Sequence, residues 1–198
     1  MNAAVAKLRE LEAPAEAHSL MRLAGLIERL ELKEGYEGEH TARVSALAVA
    51  IAAELGLSGA DCRRIELGAL LHDVGKLRVP DRVLTKRGHL DESEWATIRS
   101  HAALGERLLI HVLDLPEVLA IVRSHHERWD GHGYPDGSEG EDIPLAARVV
   151  AVADAFQAMT EPRPYRKPRT RAAALREIVS QAGRQFDPAC VEALRAAV

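Results

Sequence analysis

Apolar residues recur every three or four positions along almost the whole chain, and two-residue alternation is nearly absent. That period belongs to helices with one buried face, since 3.6 residues complete a turn, whereas a half-buried strand needs a period of two. Ala, Leu, Arg and Glu fill these windows and aromatic residues supply only 4% of the chain, so the predicted fold class is all-α. Start signals divide the pattern. Ser58 with Asp61 and Asp91 with Glu94 have capping-box spacing, while Pro116, Pro144 and Pro188 suit a first helical turn. Helices are expected over 17–33, 39–55, 59–72, 92–113, 116–127, 144–160, 171–182 and 188–197, a bundle of about seven to eight. Two connectors remain, Gly75 to Leu90 and Trp129 to Ile143. The second is crowded with glycine and proline and cannot continue a helix, and long connectors inside one domain often carry function.

A chain of 198 residues that is 47% hydrophobic can bury a core of its own, so one main domain is expected over 35–198. Residues 1–34 read as an Ala-rich helical lead-in or linker broken at Pro14. Lys and Arg total 26 against 30 for Asp and Glu, and a net charge of −4 offers no global field for DNA, RNA or an anionic membrane. Any phosphate affinity must be local. Cys62 and Cys190 stand far apart and outside any Cys-x-x-Cys pattern, as in a reduced intracellular protein. No run of about 18 uninterrupted apolar residues and no signal-peptide pattern occurs, so a cytoplasmic location is expected. The amphipathic N-terminal helix either covers its own domain or pairs with its copy in a homodimer.

Three polar residues fall where hydrocarbon belongs. His40 shares its stripe with Val44, Leu47 and Ile51; His101 lines up with Ile98, Gly105 and Leu108; Asp154 is flanked by Val150, Ala151 and Ala158. An isolated carboxylate in an apolar interior costs many kcal/mol unless it is protonated, paired or bound to a metal, which makes Asp154 the telling residue. One buried histidine alone would be an ordinary hydrogen-bonded core residue. Here the adjacent pairs His72-Asp73 and His125-His126 fall near the ends of two further helices. Neighbours that diverge by about 100° around a helix can both border one cavity only there. Five imidazoles and two carboxylates exceed the needs of one ion and suit two, bridged by a carboxylate and a water or hydroxide. Nitrogen and oxygen donors without thiolate point to iron or manganese, with zinc and nickel as alternatives.

The string His72-Asp73-Val74-Gly75-Lys76 resembles the His-Asp signature of the HD phosphohydrolase superfamily. Residues 125–135, His-His-Glu-Arg-Trp-Asp-Gly-His-Gly-Tyr-Pro, resemble the defining motif of its HD-GYP subfamily, with Gly133, Tyr134 and Pro135 supplying the name. The resemblance runs from about Gly35 to Val191. It takes in Val79-Pro80-Asp81 with Leu84 and Lys86, the segment from Asp154 to Thr160, Arg163-Pro164-Tyr165-Arg166, and Phe186-Asp187-Pro188.

By this resemblance the bundle is an HD domain, with His40, His72, Asp73 and Asp154 on one metal and Asp73 bridging to a second on His101, His125 and His126. Members with a third metal carry a glutamate four positions before the first histidine, where this chain has Tyr36, so two ions are implied. The subfamily cleaves cyclic di-GMP to the linear dinucleotide and in some members to GMP, and some members prefer mixed cyclic GMP-AMP. Attack of a metal-bridging hydroxide on phosphorus is the implied step, with Asp73 and Lys76 in catalytic roles and Lys76, Arg163 and Arg166 holding phosphates. Glu127, Trp129 and Asp130 are expected to orient ligands and loop, and Gly131 and Gly133 to permit positive φ. Two alternatives stand beside this reading. One is an HD phosphohydrolase for another cyclic dinucleotide or nucleotide; the other is a module that docks a diguanylate cyclase through the Gly-Tyr-Pro loop without turnover.

Overall fold

The computed structural model describes residues 3–10, 17–34, 39–161 and 167–198. They form eleven α-helical segments: α1 Ala3–Glu10, α2 Ala17–Glu34, α3 Glu39–Glu54, α4 Gly59–Leu71, α5 Asp81–Leu84, α6 Glu92–Arg99, α7 His101–Leu109, α8 Pro116–Ser124, α9 Leu145–Thr160, α10 Arg171–Ser180 and α11 Pro188–Ala197. Beyond one isolated bridge between Ala182 and Phe186, the described residues contain no strand pairing. The all-α expectation holds. Pro14 and Tyr36 lie outside the described residues.

The helix ends carry the chemistry their sequences announce. Ser58 accepts from the Asp61 amide at 3.2 Å, although the Asp61 carboxylate takes the Ser58 hydroxyl and so does not close a capping box. Asp91 and Glu94 do close one. Pro116 and Pro188 stand in first helical turns, whereas Pro144 is one residue earlier, at the cap of α9.

Two buried clusters build the interior. One joins α3, α4, α9, α10 and α11 through residues such as Ile51, Ile65, Val150, Phe156, Ile178 and Leu194. The other gathers α1, α2, α4, α7 and α8 around Val5, Leu23, Ile27, Leu70, Leu109 and Val122. Helix α4 serves both, Ile65 and Ala69 facing one cluster and Leu67, Leu70 and Leu71 the other. A helix apolar on both sides in this way sits at the centre of a bundle. Its C-terminal end, held on two sides, is a rigid place from which to present His72 and Asp73.

The expected single helix over 92–113 is two helices that meet at Ser100. The reason lies in the His101 ring, whose Nδ1 donates to the Ile98 carbonyl at 2.7 Å. That contact occupies an acceptor that a continuous helix would direct at a main-chain amide. His101 therefore opens a helix instead of lying within one. The first connector is also more ordered than its composition suggests, holding a 3-10 turn over Val74–Arg78 and the short α5.

Candidate metal centre

Three of the histidines are set by the same local device. Each stands at a helix junction and donates its Nδ1 proton to the main-chain carbonyl three residues earlier: His72 to Ala69 at 2.7 Å, His101 to Ile98 at 2.7 Å, His125 to Val122 at 2.8 Å. A carbonyl only accepts, so the proton of each neutral ring is on Nδ1 and the Nε2 lone pair is turned inward. This is the usual way of fixing a metal-ligating imidazole.

The inward atoms converge. Single donor atoms of Asp73, His101, His125 and His126 lie within 4.8 Å of one another, as do those of His40, His72 and Asp154. The Asp73 carboxylate stands between the two groups, with Oδ2 3.2 Å from His72 Nε2 and Oδ1 3.3 Å from His101 Nε2. Asp154 Oδ1 is 3.3 Å from His40 Nε2. All seven residues expected to share a centre are brought together. The floor, His72, Asp73, His101 and His125, is buried. His40 and Asp154 keep 15% and 22% of their side chains exposed and form a rim open to a ligand.

Electrostatics within the cluster call for a cation. The Nε2 atoms of His101 and His125 face each other at 3.3 Å, and with both protons on Nδ1 this places lone pair against lone pair. Burial lowers the basicity of both rings, and neighbouring imidazolium charge lowers that of His125 further. Burial likewise brings His126 down to about 4. Protonation therefore does not relieve the conflict. The buried His72 Nε2 has no hydrogen-bond partner although Asp73 Oδ2 is 3.2 Å away; burial opposes protonation of the ring, but the Asp73 carboxylate outweighs it and raises its basicity. A nitrogen buried without a partner costs roughly 1–3 kcal/mol, and a positive ion among these donors removes that cost. The residues present thus fit one or more divalent ions.

Both carboxylates stay ionised. Burial opposes the charge of Asp73, but Lys76 and His72 outweigh it and hold its carboxyl well below the usual range. Asp154 is also held low, its burial offset by the His40 hydrogen bond and by His72. His40 shows the complementary effect: burial alone would lower it, but Asp154 and Glu161 raise it to about 9.

Lys76 donates to Asp73 Oδ2 at 2.7 Å and keeps 21% of its side chain exposed, so its ammonium lies at the rim. Arg163 and Arg166 lie outside the described residues. Glu161 was not singled out in the sequence. Its Oε2 accepts from His40 Nδ1 at 2.7 Å and its Oε1 from Arg43 Nε at 2.7 Å. It does for His40 what main-chain carbonyls do for the other three rings. A glutamate just after a helix reads as ordinary surface charge, and only the folded chain brings it to His40.

The Gly-Tyr-Pro loop folds over one side of the centre. Tyr134 donates its amide to the His126 carbonyl at 3.3 Å, and its ring stacks on His126 at 4.8 Å and 30°. Burial and the charges of Asp73 push the Tyr134 phenol upward, so it keeps its proton. Glu127 fixes the far end of the loop, accepting from the amides of Asp136 at 2.7 Å and Gly137 at 3.1 Å. Arg123 clamps the Asp136 carboxylate with two contacts of 2.7 Å. Trp129 and Asp130 are tied through their amides to the carbonyls of Gln185 and Arg184. Gly131 has the expected positive φ of 73°, but Gly133 does not. Gly133 is needed for close approach instead: a Cβ there would lie 2.4 Å from the Arg128 amide and 2.5 Å from the Glu127 Cα.

Residues 25–190 match the family model described as the HD domain, and the chain belongs to that family. Over 194 residues it is 43% identical to the cyclic di-GMP phosphodiesterase response regulator RpfG of Xanthomonas campestris pv. campestris, an alignment covering 96% of this chain and 50% of that protein. It is 42% identical over 158 residues to a cyclic di-GMP phosphodiesterase of Thermotoga maritima, covering 78% of this chain and 42% of that protein. Among solved structures it resembles a cyclic GMP-AMP specific phosphodiesterase of Vibrio cholerae, with a TM-score of 0.68, 22% identity, and coverage of 86% of this chain and 46% of that one. That likeness speaks to the fold. The chain spans half or less of the length of these curated relatives. No helix among the described residues is long and apolar enough to cross a membrane.

Proposed function

We propose that this chain is a metal-dependent phosphodiesterase that hydrolyses cyclic di-GMP to the linear dinucleotide. The observation that carries the reading is the Asp73 carboxylate, set between His72 and His101 at 3.2 and 3.3 Å with the two donor groups on either side. Two ions are proposed, iron or manganese, one on His40, His72 and Asp154 and one on His101, His125 and His126, with Asp73 shared. When bound, they supply Lewis acidity toward the phosphoryl oxygens and an activated water. Asp73 holds the two halves in register. Lys76, at the rim and 2.7 Å from Asp73, is placed to offset charge on a phosphodiester. Arg163 and Arg166 are proposed to hold phosphates from the segment after α9. The Tyr134 ring, stacked on His126, walls the centre on the side of the loop and excludes water there.

The relatives named above as cyclic di-GMP phosphodiesterases favour that substrate, and the structural likeness to a cyclic GMP-AMP specific enzyme makes the mixed dinucleotide the second substrate to try. Retention of a competent donor at every one of the seven positions favours turnover over a docking module for a diguanylate cyclase. For a homodimer, the exposed Met21 and Leu32 on α2 supply apolar surface, and light scattering distinguishes one chain from two. The test of activity is chromatography of cyclic di-GMP incubated with protein loaded anaerobically with iron or manganese. Linear dinucleotide is expected, and the presence or absence of GMP distinguishes two-step from one-step hydrolysis; tight binding with no product over hours would overturn the reading.

A further inference from the structure

We propose that Trp95 and Arg99, together with Tyr134, form a subsite that grips one guanine base of the dinucleotide. The proposal rests on the phosphodiesterase reading and deepens it. Helix α6 leads straight into His101, yet it buries none of its residues fully. It is held from outside, by its capping box and by the Lys86 ammonium on Glu94 at 2.5 Å. Core packing therefore gives no reason for a tryptophan there. Trp95 leaves 47% of its surface exposed.

Four residues on, and so on the same face of the helix, Arg99 lies with its Cζ 5.9 Å from the centre of the Trp95 ring and 5.8 Å from that of Tyr134. Tyr134 in turn stacks on His126 at 4.8 Å and meets His101 edge-on at 6.3 Å. A continuous path of flat groups thus runs from the centre to solvent: His126, Tyr134, Arg99, Trp95. Arg123, Arg128 and Arg148 are each paired with a carboxylate, but among the described residues none pairs with Arg99. Its N–H groups are open to a ligand.

The chemistry of these groups selects a base. An exposed indole stacks any purine. A guanidinium fork matches the O6 and N7 acceptors of guanine, whereas adenine turns an amino donor toward it. With the phosphodiester at the donor cluster, a guanine extends outward along the path to Arg99 and Trp95.

Two measurements test this. In the first, tryptophan fluorescence of the metal-loaded protein is followed while GMP or AMP is added. GMP is expected to quench at about tenfold lower concentration than AMP. The quench is expected to vanish in Trp95→Phe, where Trp129 remains, and the preference for GMP to vanish in Arg99→Lys, which keeps the charge without the fork. In the second, Trp95→Ala and Arg99→Ala are expected to raise KM for cyclic di-GMP about tenfold relative to their effect on bis(p-nitrophenyl) phosphate, which carries no purine. Both positions are exposed, and circular dichroism checks that α6 still folds. A quench that survives in Trp95→Phe, or equal effects on the two substrates, overturns the subsite. Failure of the unsubstituted protein to cleave cyclic di-GMP, with the Trp95 quench intact, overturns the activity reading alone.

Discussion

Replacing Glu161 with Ala should weaken one half of the metal centre and spare the other. The rings of His72, His101 and His125 are oriented by main-chain carbonyls, which no side-chain substitution removes. His40 depends on a side chain, accepting its orientation from Glu161 through a 2.7 Å contact between groups only 13% and 15% exposed. Without that carboxylate His40 Nδ1 loses its 2.7 Å contact, and the ring is released from the position that sets Nε2 3.3 Å from Asp154. Loss of such an orienting partner typically weakens metal affinity about 10–100-fold, or roughly 1.4–2.7 kcal/mol. The loss should fall on the ion held by His40, His72 and Asp154. Anaerobic titration with Mn(II), followed by calorimetry and elemental analysis, should show two sites in the parent and one of unchanged affinity plus one weakened site in the variant. Arg43→Ala, which leaves the Glu161 carboxylate in place and removes its outer contact at 2.7 Å, should have a smaller effect. Equal weakening of both sites, or of neither, would refute the reasoning.

Other outcomes follow from the same geometry. Gly75→Ala should separate the halves of the centre, since its Cβ would lie 1.9 Å from the His101 carbonyl oxygen; the turn after Asp73 must then retreat from α7, and metal stoichiometry should fall along with about 1–3 kcal/mol of stability in urea melts. Asp136→Ala removes the partner of the Arg123 fork, so Tyr134 should lose its fixed place on His126; KM for cyclic di-GMP should rise several-fold with metal content unchanged, and an unchanged KM would count against the clamp. Burial pushes the Cys190 thiol up to about 12 from 9.0. Because the folded value is the higher, its contribution is present below pH 9 and is lost as pH rises toward 12; the parent should lose on the order of 2 kcal/mol more than Cys190→Ala between pH 8 and 10.5 in urea melts.

The ligands were legible because a helix gives each residue a direction. Asp154 among Val150, Ala151 and Ala158 has no place to point but inward, and the pairs at 72–73 and 125–126 announce helix ends. The break at Ser100 was not legible. Apolar spacing runs through it without glycine or proline, and the cause is a tertiary demand, the His101 ring taking the Ile98 carbonyl in order to aim its other nitrogen. Gly133 carried a similar ambiguity, since a glycine gives no sign of whether it is needed for its φ or for its lack of a Cβ; here the neighbouring backbone of Glu127 and Arg128 decides. Glu161 and Trp95 acquire meaning only from what lies across the fold, His40 in one case and Tyr134 through Arg99 in the other.

The most direct measurement is the position and number of ions in crystals of protein reconstituted anaerobically, read by anomalous scattering at the iron or manganese edge. Two peaks about 3.5–4 Å apart are expected, one on either side of the Asp73 carboxylate, and both should be lost together with hydrolysis in Asp73→Ala. A single ion elsewhere, or full hydrolysis by protein stripped of metal, would contradict this assignment.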